Sequence, residues 1–466
     1  MNSVEHSIRQ ILDRQRAAFL AEGLPSAQRR IEWIDRVIGL LVDNQQAIID
    51  AMSADFGHRS PDFSRLVDVL GPLMVLKQTK AQLAGWMQPE KRGSEREDAW
   101  VQYQPLGVIG IVTPWNGPFA VAFACLAGAL AAGNRVMIKP SEFTPQTSEL
   151  MAKMIRSAFS EDEVAVITGG ADVGQAFCGQ PFDHLMFTGA SSVGKQVMRA
   201  AAENLVPVTL ELGGKSPCIL SRSADLKTAA IRILGGKAMN AGQVCLAPDY
   251  LLVPEERVGE FVEIARAVFA RLYPTLKDNP DYTSVVNARH YQRLQGYLDE
   301  ARAVGTEIVE LNPASEDFSE QPHHKLPLTL LIDPQDSLKV MQDEIFGPLL
   351  PIKPYREIAD AVAFINARPR PLGLYWFGDD AQEEQYLLSR TCSGGVTIND
   401  VVRHGGAECL PFGGVGNSGM GAYHGIDGFR ALSHARAVLR EGGSPDLSRA
   451  PHVEQARQLV ASLIKR

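Results

Sequence analysis

Cysteine, long apolar runs and basic excess are all scarce in this chain of 466 residues, and each scarcity excludes a class of protein. Its six cysteines, at 125, 178, 218, 245, 392 and 409, include no CxxC pair, so neither a disulfide scaffold nor a thiolate metal knuckle is expected. That usage suits a reducing, cytoplasmic setting. Ten histidines contain no HExxH-type pairing, and no metal site is expected. No window approaches the ~18 uncharged apolar residues of a membrane-spanning helix. The polar stretch Met1 to Gln10 lacks the apolar core of a secretory signal. A formal net charge of -8 argues against nucleic acid or an anionic membrane as partner. Repeats and low-complexity tracts are absent.

What is present describes a globular protein, with 45% hydrophobic and 21% charged residues over a length that calls for two or three domains. The first ~90 residues read as helices. Ile31, Ile34, Ile38 and Leu41 recur at three- and four-residue spacing after a start at Pro25-Ser26, which is packing without chemistry. Gly93 to Asp98 is a polar break, and Trp100 to Gln104 alternates as a half-solvated strand. Phe119 to Ala132, apolar and rich in small residues, suits a buried helix.

From Gly107 the pattern turns α/β. Strand-like runs at Val108–Val112, Arg135–Lys139, Val164–Thr168, His184–Phe187 and Val206–Leu212 alternate with helical stretches, implying a parallel sheet covered by helices. A second series follows at Pro217–Leu220, Tyr250–Val253, Glu307–Glu310, Thr329–Ile332, Ile352–Pro354, Leu374–Phe377 and Val396–Asn399, with a boundary near Gly213-Gly214. Beyond Arg440, Glu441 to Pro445 reads as a flexible link to a short amphipathic helix.

Chemistry concentrates between Thr209 and Asp249. Glu211 ends a strand-like apolar run, where a carboxylate is costly without a task. Cys245 follows the polar break Asn240-Ala241-Gly242-Gln243, which places its thiol on a turn; Cys125, Cys178, Cys218 and Cys392 read as small buried hydrophobes, and Cys409 is undecided. A thiol and a carboxylate from different elements can form a nucleophile and its general base. Phe187 to Gly194 runs from a strand through a glycine turn into a helix, a place for a pyrophosphate, although an ordinary tight turn explains Gly189 and Gly194 as well. Lys139 and Glu142 emerge around Pro140 at the carboxyl edge of a strand, able to hold a ribose or to remain a solvated pair. The Asn116 amide could meet an oxyanion or merely cap a loop. Glu344-Ile345-Phe346-Gly347-Pro348 could hold a ribose and wall a ring, or end a helix. The glycine-rich Pro411 to Gly419 reads as a loop passing close to a ligand or another backbone.

Taken in order and at these separations, the motifs resemble the aldehyde dehydrogenase superfamily from about Gln104 to His434. The stretches Thr209–Cys218, Asn240–Tyr250 and Leu410–Gly425 are similar to its class 3 branch. Ile49–Ser60, Ala367–Pro371 and Thr397–Asp400 are most similar to bacterial coniferyl aldehyde dehydrogenases. The resemblance implies an α/β fold with a Rossmann-like cofactor domain (1–98 and 107–212), an α/β catalytic domain (213–400), a small β arm for bridging and oligomerisation (99–106 and 401–440) and a tail (441–466). It implies oxidation of an aldehyde to an acid with NAD, or alternatively NADP, in a homodimer. Cys245 is then nucleophile and Glu211 general base, with Asn116 and the Cys245 backbone N–H as oxyanion donors. Lys139 and Glu142 face the ribose, Gly189 and Gly194 frame the pyrophosphate, and Glu344 with Phe346 positions the nicotinamide.

Three residues depart from the family pattern: Ala190 where serine is common, Gly117 where an aromatic follows the asparagine, and Val244 where threonine precedes the cysteine. Competing expectations are medium- or long-chain aliphatic aldehydes as substrates, an acylating enzyme that passes its thioester to coenzyme A or phosphate, and a ligand-binding relative without turnover. Glu211 weighs against the second, since a water-activating base would be wasted there.

Overall fold

The computed structural model describes residues 3–93, 98–440 and 451–464. The Glu441–Pro445 link and most of the Gly93–Asp98 break lie outside the described residues. Two parallel-stranded sheets and one small antiparallel sheet organise the rest.

The first sheet has six strands, in the spatial order Gly419–Met420, Val208–Leu212, His184–Gly189, Val108–Val112, Arg135–Lys139 and Val164–Val166. All pairings are parallel except the short strand at Gly419, which runs antiparallel to Val208–Leu212. The first three strands in the α/β series, Val108–Val112, Arg135–Lys139 and Val164–Val166, lie outward in one direction. The chain then crosses back to lay His184–Gly189 on the other side of Val108–Val112. That reversal opens a crevice at the carboxyl ends of Val108–Val112 and His184–Gly189, where open α/β sheets take ligands. The buried helix Pro118–Ala132 packs beneath this crevice, nearly every side chain enclosed.

The strand expected from Val206 begins instead at Val208, because Pro207 has no N–H to give the ladder. The chain leaves the first sheet at Leu212 and enters the second at Pro217. The second sheet has seven strands, with Pro217–Leu220 and Tyr250–Pro254 at its centre. Its strand expected over Ile352–Pro354 spans Leu349–Tyr355, since the two leucines before Pro351 find parallel partners at Thr329 and Leu330. The third sheet pairs Asp98–Pro105 with Glu90–Arg92 on one side and with Ser433–Arg440 on the other.

The N-terminal helix over Ala27–Asp43 starts where the sequence places it. The Ser26 hydroxyl accepts from the Arg29 N–H, and Ile34 and Leu41 are fully buried. One cysteine reading is corrected: Cys125, Cys178 and Cys218 are buried, but Cys392 is exposed, as is Cys409. Cys392 follows the helix Ala381–Arg390 by two residues, in a polar connection that the core does not cover.

Candidate active site

The turn that carries Cys245 is unusually constrained. After the helix Leu226–Ala238, the backbone passes through three successive left-handed residues, Asn240 (φ 49°), Ala241 (φ 52°) and Gly242 (φ 73°). Glycine and asparagine visit that conformation readily but alanine does not, so Ala241 is held there by its surroundings. The clamp is Gln243. Its side-chain amide donates to the Asn240 carbonyl (2.8 Å) and the Ser284 carbonyl (2.9 Å), and its side-chain oxygen accepts from the Val286 N–H (2.9 Å). A Cβ on Gly242 would collide with the Gly347 carbonyl, so the turn also abuts the Glu344–Pro348 segment. Asn116 is tied to the same turn, its amide donating to the Gln243 carbonyl at 3.1 Å while Asn240 donates to the Asn116 carbonyl at 3.3 Å. An asparagine amide has two N–H groups, and one remains for a ligand beside Cys245.

Glu211 reaches the thiol from the first sheet. Its strand places it between Thr188 on one side and Gly419 on the other. The side chain is 2% exposed, and its Oε1 has no hydrogen-bond partner. Burial pushes the carboxyl up to about 7, partly offset by hydrogen bonding to the Cys245 thiol and the Thr188 hydroxyl. Burial also pushes the Cys245 thiol up, and the Glu211 and Glu344 carboxylates push it further. Glu211 is the stronger acid of the two, so the resting pair keeps its proton on sulfur and leaves the carboxyl able to act as a proton acceptor near neutral pH.

Glu344 is likewise pushed up to about 8, by burial first and then by Asp249; the Gly214 N–H partly offsets this. The carboxylate lies so close to Gly213 that any Cβ there would strike it. Phe346, with φ 45°, sets its ring edge-on to Trp115 at 5.3 Å. Arg293 holds that segment through the Ile345 carbonyl (2.8 Å).

Several residues of this centre have no role in the sequence reading. Lys215 donates to the Asp249 carboxylate and to the carbonyls of Val340 (2.8 Å) and Asp343 (2.9 Å). Asp249 in turn accepts from the Ile345 N–H at 2.9 Å. These two side chains therefore staple the segments of Glu211, Cys245 and Glu344 to one another. Gln243 and Thr188 are the other omissions.

The cofactor-side residues gather at the crevice of the first sheet, with one correction. Lys139 does not emerge: it is 2% exposed, its ammonium donates to the Pro140 carbonyl (2.6 Å), and it lies 3.8 Å from the exposed Glu142 carboxylate. The strand end is covered there, so only Glu142 faces solvent. Gly189 ends its strand against the Phe187 ring, where a Cβ would sit 2.7 Å away. Gly194 lets the helix Ser191–Ala202 close onto Leu212, where a Cβ would sit 2.6 Å from the side chain. That helix starts at Ala190 with no side-chain cap, and the Ser191 hydroxyl turns away to the Asn417 carbonyl (3.0 Å). Its first N–H groups are thus free for an anion, and the residues present fit the pyrophosphate of a dinucleotide. The glycine-rich loop passes close to another backbone: Gly419 (φ 145°) lies on the Leu210 carbonyl with no room for a side chain.

Compared with known proteins, residues 2–438 match the model of the aldehyde dehydrogenase family. The chain is 56% identical to a probable coniferyl aldehyde dehydrogenase of Caulobacter vibrioides over 98% of its own length and 96% of the relative's. It is 50% identical to the coniferyl aldehyde dehydrogenase of a Pseudomonas species, covering 97% and 95%. A dimeric NADP-preferring aldehyde dehydrogenase of Rattus norvegicus is 37% identical, covering 93% and 94%. Among solved structures, the substrate-bound state of Staphylococcus aureus AldH superposes with a TM-score of 0.92 at 33% identity, covering 98% of this chain and 99% of that one.

Proposed function

This chain belongs to the aldehyde dehydrogenase family, and from that premise we propose that Cys245 and Glu211 oxidise a ring-bearing aldehyde of the coniferyl type to its acid. The observation that carries the assignment is the meeting of the two: a buried carboxyl pushed up to about 7, hydrogen-bonded to a thiol on a clamped turn.

An aldehyde has no leaving group, so its carbon must first become tetrahedral. The Cys245 thiol releases its proton to solvent as its sulfur adds to the carbonyl carbon. The oxygen gathers negative charge against the free N–H of Asn116 and the backbone N–H of Cys245; one such donor is worth about 10²–10³ in rate. A nicotinamide dinucleotide would be held by Glu142, the Gly189–Gly194 turn, Glu344 and Phe346 and would supply the hydride acceptor. Collapse of the oxyanion leaves a thioester on Cys245. Glu211, unprotonated, takes a proton from water as it attacks that thioester and passes it to the departing sulfur, an effect of about 10²–10⁴-fold for a placed base. The acid leaves and the thiol is restored.

Exposed Glu142 repels a 2′-phosphate, which supports NAD as the preferred dinucleotide over NADP. Residues 1–98 and 107–212 form the cofactor domain, 213–400 the catalytic domain, and 99–106 with 401–440 the bridging arm. The outer edge of Ser433–Arg440 has no strand partner among the described residues and suits a homodimer. No helix among the described residues is long and apolar enough to cross a membrane, and we place the enzyme in the cytoplasm on its cysteine usage. The test is NADH absorbance with coniferaldehyde, with and without coenzyme A. Turnover independent of coenzyme A is expected, and Cys245→Ala should abolish it while NAD still binds. Retained turnover in pure Cys245→Ala would refute the mechanism.

A further inference from the structure

Two helices of the first sheet begin at the site, and both begin without a cap of their own. Pro118–Ala132 follows Asn116 directly; its N-cap is Gly117, which has no side chain. Pro145–Ala158 follows the Lys139–Glu142 loop, and its N-cap Thr144 makes no capping hydrogen bond. Each starts with proline at the first helical position, so the N–H groups of the second and third positions are the ones that need an acceptor. In both helices that acceptor comes from the N-terminal helical layer. Asp55 accepts from the N–H groups of Gln146 (3.0 Å) and Thr147 (2.8 Å) and from the Thr147 hydroxyl (2.7 Å). Asp68 accepts from the Ala120 N–H (3.3 Å) and from that of Phe119. These are the bonds an ordinary capping side chain would make, supplied from a distant part of the chain.

The Asp68 cap is a built one. Asp68 lies in a π-helical turn, Arg65–Leu70, and its second oxygen pairs with Arg59 at 2.8 Å; both side chains are 0% exposed. The Arg59 guanidinium is sandwiched between the rings of Phe56 and Phe63, each 5.0 Å away. A buried ion pair of this kind contributes little net stability, but it fixes where its members sit. A cap at position 117 itself would need a side chain beside Asn116. With the cap delivered by Asp68, position 117 can stay bare.

Resting on the reading of Asn116 as an oxyanion donor, we infer that Asp68, held by Arg59, is a positioning residue for Asn116. It anchors the start of the helix so that the amide stays aimed at the reacting carbon while Gly117 leaves room for the substrate. Asp68 touches neither substrate nor dinucleotide in this role; it acts through Asn116.

The experiment is a double-mutant cycle. Arg59→Met/Asp68→Leu removes both charges together, so neither is left buried and unpaired, and circular dichroism checks the fold. If the pair positions Asn116, kcat for coniferaldehyde falls by about tenfold or more, with KM for NAD unchanged. In an Asn116→Ala background the same change then costs less than about twofold, because the amide it aims is gone. An unaltered kcat in the pair variant, or losses that multiply with that of Asn116→Ala, would overturn the inference. An Asn116→Ala enzyme of undiminished kcat would instead overturn the oxyanion reading beneath it. Should the pair variant not fold, Asp68→Ser, too short to reach the helix start yet still polar toward Arg59, runs through the same cycle with the same outcomes.

Discussion

Replacing Gly117 by phenylalanine tests the shape of the substrate site directly. Gly117 has φ -150°, outside the left-handed region, and a Cβ there would meet only the Ala120 Cβ at 3.6 Å. The substitution therefore needs no backbone shift, and its ring must enter the space beside Asn116. Aromatic side chains bury roughly 150–250 Å². If the new ring displaces about half of that from an aryl substrate, the lost burial at ~25 cal/mol per Å² is about 2 kcal/mol, or about 30-fold in kcat/KM. A short aliphatic aldehyde has no ring to displace and should lose only what the disturbance of Asn116 costs. The assay is kcat/KM for a cinnamaldehyde-type substrate and for propanal, in both enzymes. A much larger loss for the bulky aldehyde is expected. Equal losses would mean that the ring merely disturbs Asn116, and the open pocket would have to be abandoned.

Glu211→Gln should keep a rapid burst of NADH and then turn over slowly; loss of the burst in proportion to the steady rate would place Glu211 in thiol activation instead. Because the Glu211 carboxyl lies at about 7 and must be unprotonated to activate water, turnover limited by deacylation should climb with pH below 7 and level above it, and the variant should lose that limb. The sign for stability is opposite. A carboxyl raised from 4.5 to about 7 is released first by the unfolded chain, so wild type loses up to about 3 kcal/mol between those pH values, and Glu211→Gln should flatten the loss in urea titrations. Glu142→Gln should narrow the preference for NAD over NADP; an equal preference in both proteins would show that Glu142 does not face the ribose.

Much of this was legible from residue order, for identifiable reasons. Period-two and apolar runs located the strands because a parallel sheet covered on both faces leaves little else that the sequence could spell. Errors came where proline intervened: Pro207 shortened one expected strand, whereas Pro351 hid the true length of another. Glu211 and Cys245 stood out because their chemistry is improbable at such positions. Lys215 and Asp249 did not, since a charge pair shows its partner only once three distant segments have met. Lys139 was misplaced because strand-end position says nothing about what covers it. The N-terminal helices read as packing alone, and Asp55 and Asp68 show the limit of that view: a cap supplied across more than fifty residues leaves no local signature.

The crossing of Gly419 onto Leu210 sets an order of events during synthesis. Until the ribosome has delivered the last tenth of the described chain, the strand bearing Glu211 has an open edge; Gly419 pairs with Glu211 itself, and the Leu212 N–H finds its acceptor at Ser418. The same late segment supplies the Leu432 carbonyl to Asn134 and zips Ser433–Arg440 onto Asp98–Pro105. A nascent chain can thus expose Cys245 long before the base opposite it is seated.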